Sequence, residues 1–161
     1  VFSERALRPW ERFLVSIERV EGGWTGHLRV GLTGVDPSSE PASLSTHSWL
    51  VSVASSVPVS SPECLPTDVG QRVGVYWEPL RDHNRLHVVV GDSDVCPPAV
   101  PPIPSGLELF AVVDVFGNTK EVAIAEPIHR PDSLVSICAR TVKQIGGPKR
   151  VPPALRPLFD H

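Results

Sequence analysis

"LELFAVVDVFGNTKEVAIA", Leu107 to Ala125, is the stretch that decides the fold. From Leu109 to Val115 it is apolar on both alternating faces, broken only by Asp114. That pattern predicts a central strand buried on two sides. Gly117-Asn118-Thr119 then supplies a turn, and "KEVAIA" resumes as a strand. Working outward, a period of two recurs between the loop-forming residues. In "FLVSIERV" Phe13, Val15 and Ile17 share a face, and in "WTGHLRVGL" Trp24, Leu28, Val30 and Leu32 do. "EGG", Glu21 to Gly23, can supply the positive φ values of a tight hairpin between these two. "SWLVSVA" aligns Trp49, Val51 and Val53; "RVGVYW" aligns Val73, Val75 and Trp77; "RLHVVV" aligns Leu86, Val88 and Val90. "EPLRDHN" reads as the loop joining the last two. Seven strands with turn signals between them predict a mainly β chain, an antiparallel β-sandwich. Trp24, Trp49 and Trp77 fall at strand positions, where core or rim packing is the default.

One segment breaks the pattern. In "RPDSLVSICARTVKQIGGP", Arg130 to Pro148, the residues Leu134, Ile137, Cys138, Thr141, Val142 and Ile145 recur at three- and four-residue steps. That spacing places them on one face of a helix. Asp132 or Ser133 can cap its start, and Gly146-Gly147-Pro148 ends it. A helix of about thirteen residues is marginal alone in water, so its apolar face needs a partner surface. The expected organisation is therefore a β domain over 1–126 and a short helical box over 127–161.

Composition narrows the function. The chain has 161 residues, 41% hydrophobic, with a net charge of −3, enough for one cored domain with a small appendage. Its fifteen Lys and Arg residues are scattered, which argues against a surface that tracks nucleic-acid phosphates. No apolar run approaches the ~18 residues of a membrane span. Three cysteines at unmatched positions fit a reduced, cytoplasmic protein better than a disulfide framework. The chain starts at Val1 and has no Met, as expected of a processed chain or a piece of a longer one. Eighteen prolines cluster in the segments between strands, where they punctuate loops.

Catalytic and metal chemistry are weakly signalled. His83 and His87 stand four apart, a ligand spacing that works on a helix, whereas this segment reads as loop into strand. Asp92 and Asp94 lack the continuation of a calcium loop. Asp114 could serve as a catalytic carboxylate, but a hydrogen bond to a neighbouring turn is the preferred reading. No metal and no cofactor is expected. Three cysteines cannot supply the closely spaced zinc ligands of a RING-type ligase.

"VFSERALRPWERFLVSIERVEGGWTGHLRVGLTGVDP", followed later by "LFAVVDVFGNTKEVAI", resembles a neuralized homology repeat. The carrying motifs are Phe2-Ser3 with Leu7-Arg8-Pro9, Trp24-x-Gly26-x-Leu28-x-x-Gly31-x-Thr33, Asp36-Pro37, and Ala111-Val112-Val113-Asp114-Val115-x-Gly117-x-Thr119. The resemblance covers residues 1–126 and is looser from Pro41 to Pro104. It implies a SPRY-like β-sandwich that binds protein partners. The family's repeat usually begins before Phe2, with an opening strand pair that is absent here.

The helical segment, with "RVPPALRPLF" after it, resembles a SOCS box. That resemblance implies that Leu134, Ile137, Cys138 and Val142 bind elongin C, with elongin B. It also implies that Val151, Pro152 and Leu155 face a cullin-5 type scaffold. This second element departs from the family pattern, since Val151 replaces a leucine and Pro157 interrupts its helical part.

Together the two resemblances imply a non-catalytic substrate-recognition subunit of an elongin BC–cullin ubiquitin ligase, which holds a protein substrate near a charged ubiquitin carrier. Substrate contacts are expected on the loops Asp36–His47, Glu78–Arg85 and Asp92–Ser105, at Asp36, His47, Arg81, His83 and Asp92. The alternative is a protein-interaction sandwich without ligase recruitment, its helix packed on its own domain. An enzyme site built from Asp114 and the histidines is a distant third.

Overall fold

A computed structural model describes residues 1–38, 47–56 and 67–125 of the chain. They form nine strands and one helical turn: β1 (Phe13–Val20), β2 (Leu28–Thr33), β3 (Ser48–Ser52), α1 (Val53–Ser56), β4 (Arg72–Pro79), β5 (His83–Val90), β6 (Ser93–Val95), β7 (Ile103–Pro104), β8 (Phe110–Val115) and β9 (Thr119–Ala125). All pairings between strands are antiparallel. One sheet has the order β6-β5-β4-β1-β9, with β7 also paired to β5; the other has the order β3-β2-β8. The core lies where their apolar residues meet. Val15 and Ile17 of β1, Leu28, Val30 and Leu32 of β2, Val73 and Val75 of β4, Leu86 and Val88 of β5, and Ala111 and Val113 of β8 belong to a single buried cluster.

Alternation thus places the expected residues inside, because one face of each strand must leave water. β8 is buried on both faces, as its composition predicts: Phe110 and Val112 are buried along with Ala111 and Val113. It is not a fully central strand, however. It is the last named strand of the three-stranded sheet, and its far side is lined by the N-terminal segment: Phe2 bridges to Val112, the Val113 amide donates to the Val1 carbonyl at 2.8 Å, the Ser3 amide to the Ala111 carbonyl at 3.1 Å and the Leu7 amide to the Leu109 carbonyl at 2.8 Å.

Three local expectations need correction. "EGG" does not close a hairpin, because β1 and β2 lie in different sheets. The chain there crosses from one sheet to the other, and it crosses back between β8 and β9. The two crossings brace each other: the Glu21 amide donates to the Asn118 carbonyl at 2.8 Å, the Asn118 amide to the Gly26 carbonyl at 2.9 Å, and the Phe116 amide to the His27 carbonyl at 3.1 Å. Gly117 adopts φ 61°, and a Cβ there would stand 2.4 Å from the Gly26 carbonyl oxygen, so the corner needs glycine. Trp24 is not a strand residue and is 66% exposed, with Lys120 over its ring at 5.0 Å. Val53 is buried as expected, yet it opens α1 instead of continuing β3. The expected helix with Leu134, Ile137, Cys138 and Val142, and the segment with Val151, Pro152 and Leu155, lie outside the described residues.

Candidate functional site: a proline arch over an interrupted sheet edge

β4 and β5 form a true hairpin, its turn closed by the Leu80 amide donating to the His83 carbonyl at 2.9 Å. Beyond β5 the sheet edge is broken. β6 pairs only with Val88, Val89 and Val90, and β7 only with His83 and Asn84. Among the described residues none pairs with Arg85, Leu86 and His87 on that side, which leaves a gap. Seven residues, Cys96 to Pro102, span these three, and the surplus length makes an arch. Four of the seven are proline, at 97, 98, 101 and 102, and proline has no N–H to offer a strand edge. Val100 points its half-buried side chain at the core and anchors the arch. Asn84 secures the far foot: it is buried, and its side-chain amide donates to the Pro104 carbonyl at 3.3 Å.

The arch leaves a groove on each side. One, of about 300 Å³, lies against β5 and is bounded by His83, Arg85, Leu86, Cys96 and the four prolines. The other, of about 340 Å³, lies between Ala99, Val100 and Pro101 and the residues Ser48, Trp49 and Leu50 of β3. β3 is the outer strand of its sheet, so both grooves run beside strand backbone not fully engaged in the sheets. Among the described residues, neither groove is lined by an acidic side chain.

The near foot of the arch hangs on β6, only three residues long, and a polar cluster on the outer face holds it. Tyr76 and His87 are register partners on β4 and β5, and their rings stack at 4.5 Å between centroids. The Tyr76 hydroxyl donates to Asp94 of β6 at 2.5 Å. His87 lies between two carboxylates, with Nδ1 3.0 Å from Asp94 and Nε2 3.3 Å from Glu78. Arg12 stands 3.8 Å from Asp94, and Trp10 packs beside Tyr76 at 5.9 Å. Burial pushes the Asp94 carboxyl up, but hydrogen bonds from His87 and Tyr76, helped by the charges of His87 and Arg12, hold it below its ordinary value. Burial, together with the bond to Asp94, drives the Tyr76 phenol well above its ordinary range.

The expected contact residues divide. His83 lines the groove on β5, and exposed Arg81 sits two residues before it in the hairpin turn. His47 immediately precedes the β3 residues that line the second groove, and its carbonyl receives the Gly34 amide at 2.9 Å. Asp36 lies on the same β2–β3 connection and accepts from the Ser38 amide and hydroxyl, both at 2.8 Å. Those bonds hold its carboxyl below the ordinary range. Asp92 does not join the group: it lies beyond the opposite end of β5, roughly 25 Å along the strand from the hairpin turn. His83 and His87 stand four strand steps apart, roughly 13 Å, too far to share a metal. Asp114 pairs across strands with Arg29, whose Nε donates at 2.9 Å, and not with a turn. The Glu78–His87–Asp94 cluster was not anticipated, although the hairpin turn fixes the register that brings Tyr76 to His87 and Glu78 to Arg85.

Comparison with known proteins fits this fold. The crystal structure of the Drosophila melanogaster neuralized NHR1 domain superposes with a TM-score of 0.59 at 17% identity, covering 78% of each chain. Neuralized-like protein 2 of Mus musculus is 28% identical over 85% of this chain and 70% of its own length. E3 ubiquitin-protein ligase NEURL3 of Homo sapiens is 32% identical over 79% of this chain, which spans about half (48%) of it. E3 ubiquitin-protein ligase NEURL1B of Mus musculus is 31% identical, with 22% of its length matched. These relatives overturn the expectation of a non-enzyme. That expectation rested on too few cysteines for a zinc-bound ligase module, an inventory of this chain alone, whereas the ligases extend well beyond the matched part. No helix among the described residues is long and apolar enough to cross a membrane. The family model described as Neuralized matches residues 1–126, and the chain belongs to the neuralized family.

Proposed function

We propose that the sandwich is the substrate-recognition module of a ubiquitin ligase and that the arch with its two grooves is where the substrate docks. The arch carries this reading. It is the place among the described residues where rigid strands hold a loop over accessible backbone and apolar surface, the usual build of a protein-binding site. Ligase function is supported by relatives named as E3 ubiquitin-protein ligases. In the finer form of the proposal, residues 127–161 recruit elongin C and B through Leu134, Ile137, Cys138 and Val142. Val151, Pro152 and Leu155 then face a cullin-5 type scaffold, in the cytoplasm. The support is the spacing of those residues in the sequence.

Co-purification with elongin B and C tests the recruiting half. The full chain should form a stoichiometric complex, and a Leu134→Asp, Cys138→Asp double variant should not, since a charge in a dry groove costs several kcal/mol. If the unaltered chain forms no complex, elongin recruitment is wrong. Replacing Cys96–Pro102 with a Gly/Ser segment tests the docking half: it should leave any elongin complex intact and abolish substrate ubiquitination. Ubiquitination that survives the replacement removes the arch from the proposal.

A further inference from the structure

The groove under the arch has a geometry and a charge that point to one class of occupant. The gap at Arg85–His87 is three strand residues long, about 10 Å. On either side the β5 edge is paired, so a chain entering the gap meets a ready register. The arch cannot fill the gap itself. Its prolines lack N–H groups, and its internal hydrogen bond, from the Val100 amide to the Pro97 carbonyl at 3.3 Å, turns it back on itself. Above the gap are Leu86 and a proline wall. At its mouth are His83 and Arg85, with no carboxylate among the described lining residues. Arg85 reaches Glu78 only at 3.7 Å and is half exposed, so its guanidinium remains accessible to a second anion.

We propose that the groove between β5 and the arch binds a short extended peptide segment of an acidic partner. It adds about three residues of backbone to the interrupted edge and presents an Asp or Glu side chain to Arg85 and His83. This deepens the reading of the arch as the docking site and rests on it. The strand edge supplies affinity that does not depend on sequence. The basic mouth supplies selection, since an acidic side chain gains there what a lysine loses.

Cys96 makes the test direct, because its exposed thiol lines the same groove. The intact chain is equilibrated, under partly reducing conditions, with competing disulfide-linked tripeptides that differ only in one side chain: Asp, Glu, Ala or Lys. Peptide mapping by mass spectrometry then reads the occupancy of Cys96 alone. Asp and Glu peptides should exceed the Lys peptide by about fivefold, the scale of one exposed charge pair gained against one repelled. Arg85→Gln, which brings no like charge to Glu78, should reduce that ratio to below about twofold with an unchanged melting temperature. His83→Gln should reduce it less. Equal occupancy by Asp and Lys peptides overturns the proposal, as does a preference that persists in Arg85→Gln. The arch replacement is read by ubiquitination instead, so loss of charge preference here leaves the docking reading standing, whereas survival of ubiquitination there removes it.

Discussion

Gly31 sits mid-strand in β2, paired on one side with Leu50 of β3 and on the other with Val112 of β8. A Cβ on it would stand 1.9 Å from the Trp49 carbonyl oxygen and 2.9 Å from the Leu50 Cα. Both obstacles are backbone, so no rotamer change relieves the clash. Ordinary contact begins near 3.4 Å, and β2 and β3 must part locally by about 1.5 Å. That displacement breaks roughly two ladder hydrogen bonds at about 1 kcal/mol each, and misfitting the adjacent core adds about 1 kcal/mol. Gly31→Ala should therefore cost about 3 kcal/mol and lower the melting temperature by roughly 10 °C for a domain of this size. Gly22→Ala is the control: a Cβ there meets nothing within 4 Å, and its φ is not positive, so it should change stability by less than about 0.5 kcal/mol. Urea unfolding followed by circular dichroism measures both. A Gly31→Ala domain within 1 kcal/mol of the parent refutes the claim that this glycine exists for close approach of backbones.

Tyr76 is the sole tyrosine in the chain, so ultraviolet absorbance of tyrosinate titrates it alone. Its pKa is raised on folding, so the associated stability is full below the ordinary phenol value near 10 and falls as pH rises above it. Tyrosinate should appear only together with unfolding, and Tyr76→Phe should flatten the alkaline loss; tyrosinate in a still-folded protein would contradict the burial argument. Asp94 has the opposite sign. Its pKa is depressed on folding, so its contribution is present above about pH 4 and is lost as pH falls through its folded value, which an acid melt of Asp94→Asn against the parent will show as a shallower decline. Asp114→Asn should cost under about 1 kcal/mol, since the pair with Arg29 is largely solvent-facing, and it should leave ubiquitination unchanged; a loss of activity in a folded variant would restore a chemical role to Asp114.

The core could be read from the sequence because alternation is a local property. Val15 and Ile17, or Val73 and Val75, carry their burial in their own spacing. Which sheet a strand joins is not local. The glycines of "EGG" signal a reversal, and a reversal is equally compatible with a hairpin and with a crossing between sheets. Trp24 was misplaced for that reason: it belongs to the crossing, not to β2. The prolines at 97, 98, 101 and 102 correctly marked a loop. The interrupted edge beneath it depends on β6 and β7, whose three and two residues are too short to show any period. His47, His83 and Arg81 fell near the grooves because they flank strands. Asp92 lies apart from them because the two ends of β5, both loops in sequence, lie at opposite ends of the sheet.

The polar cluster links stability to the shape of the arch. β6 makes only three register pairs with β5, too few to hold one foot of the arch without help. Asp94 supplies that help from the middle of β6, taking bonds from Tyr76 on β4 and His87 on β5 and facing Arg12 ahead of β1. Two strands and the segment leading into β1 are thereby tied to the residue two positions before Cys96. The arch can then stand away from β5 without peeling off its edge. Fixing the foot of the arch in advance reduces what a partner must order on binding. Loosening the cluster should act on the arch before it acts on the fold. In Tyr76→Phe, hydrogen exchange should rise first at Ala99 and Val100, whose amides lie in the arch, while Val15 and Val113 in the core stay protected. Uniform acceleration across arch and core would mean that the cluster supports the sandwich as a whole and has no particular part in shaping the groove.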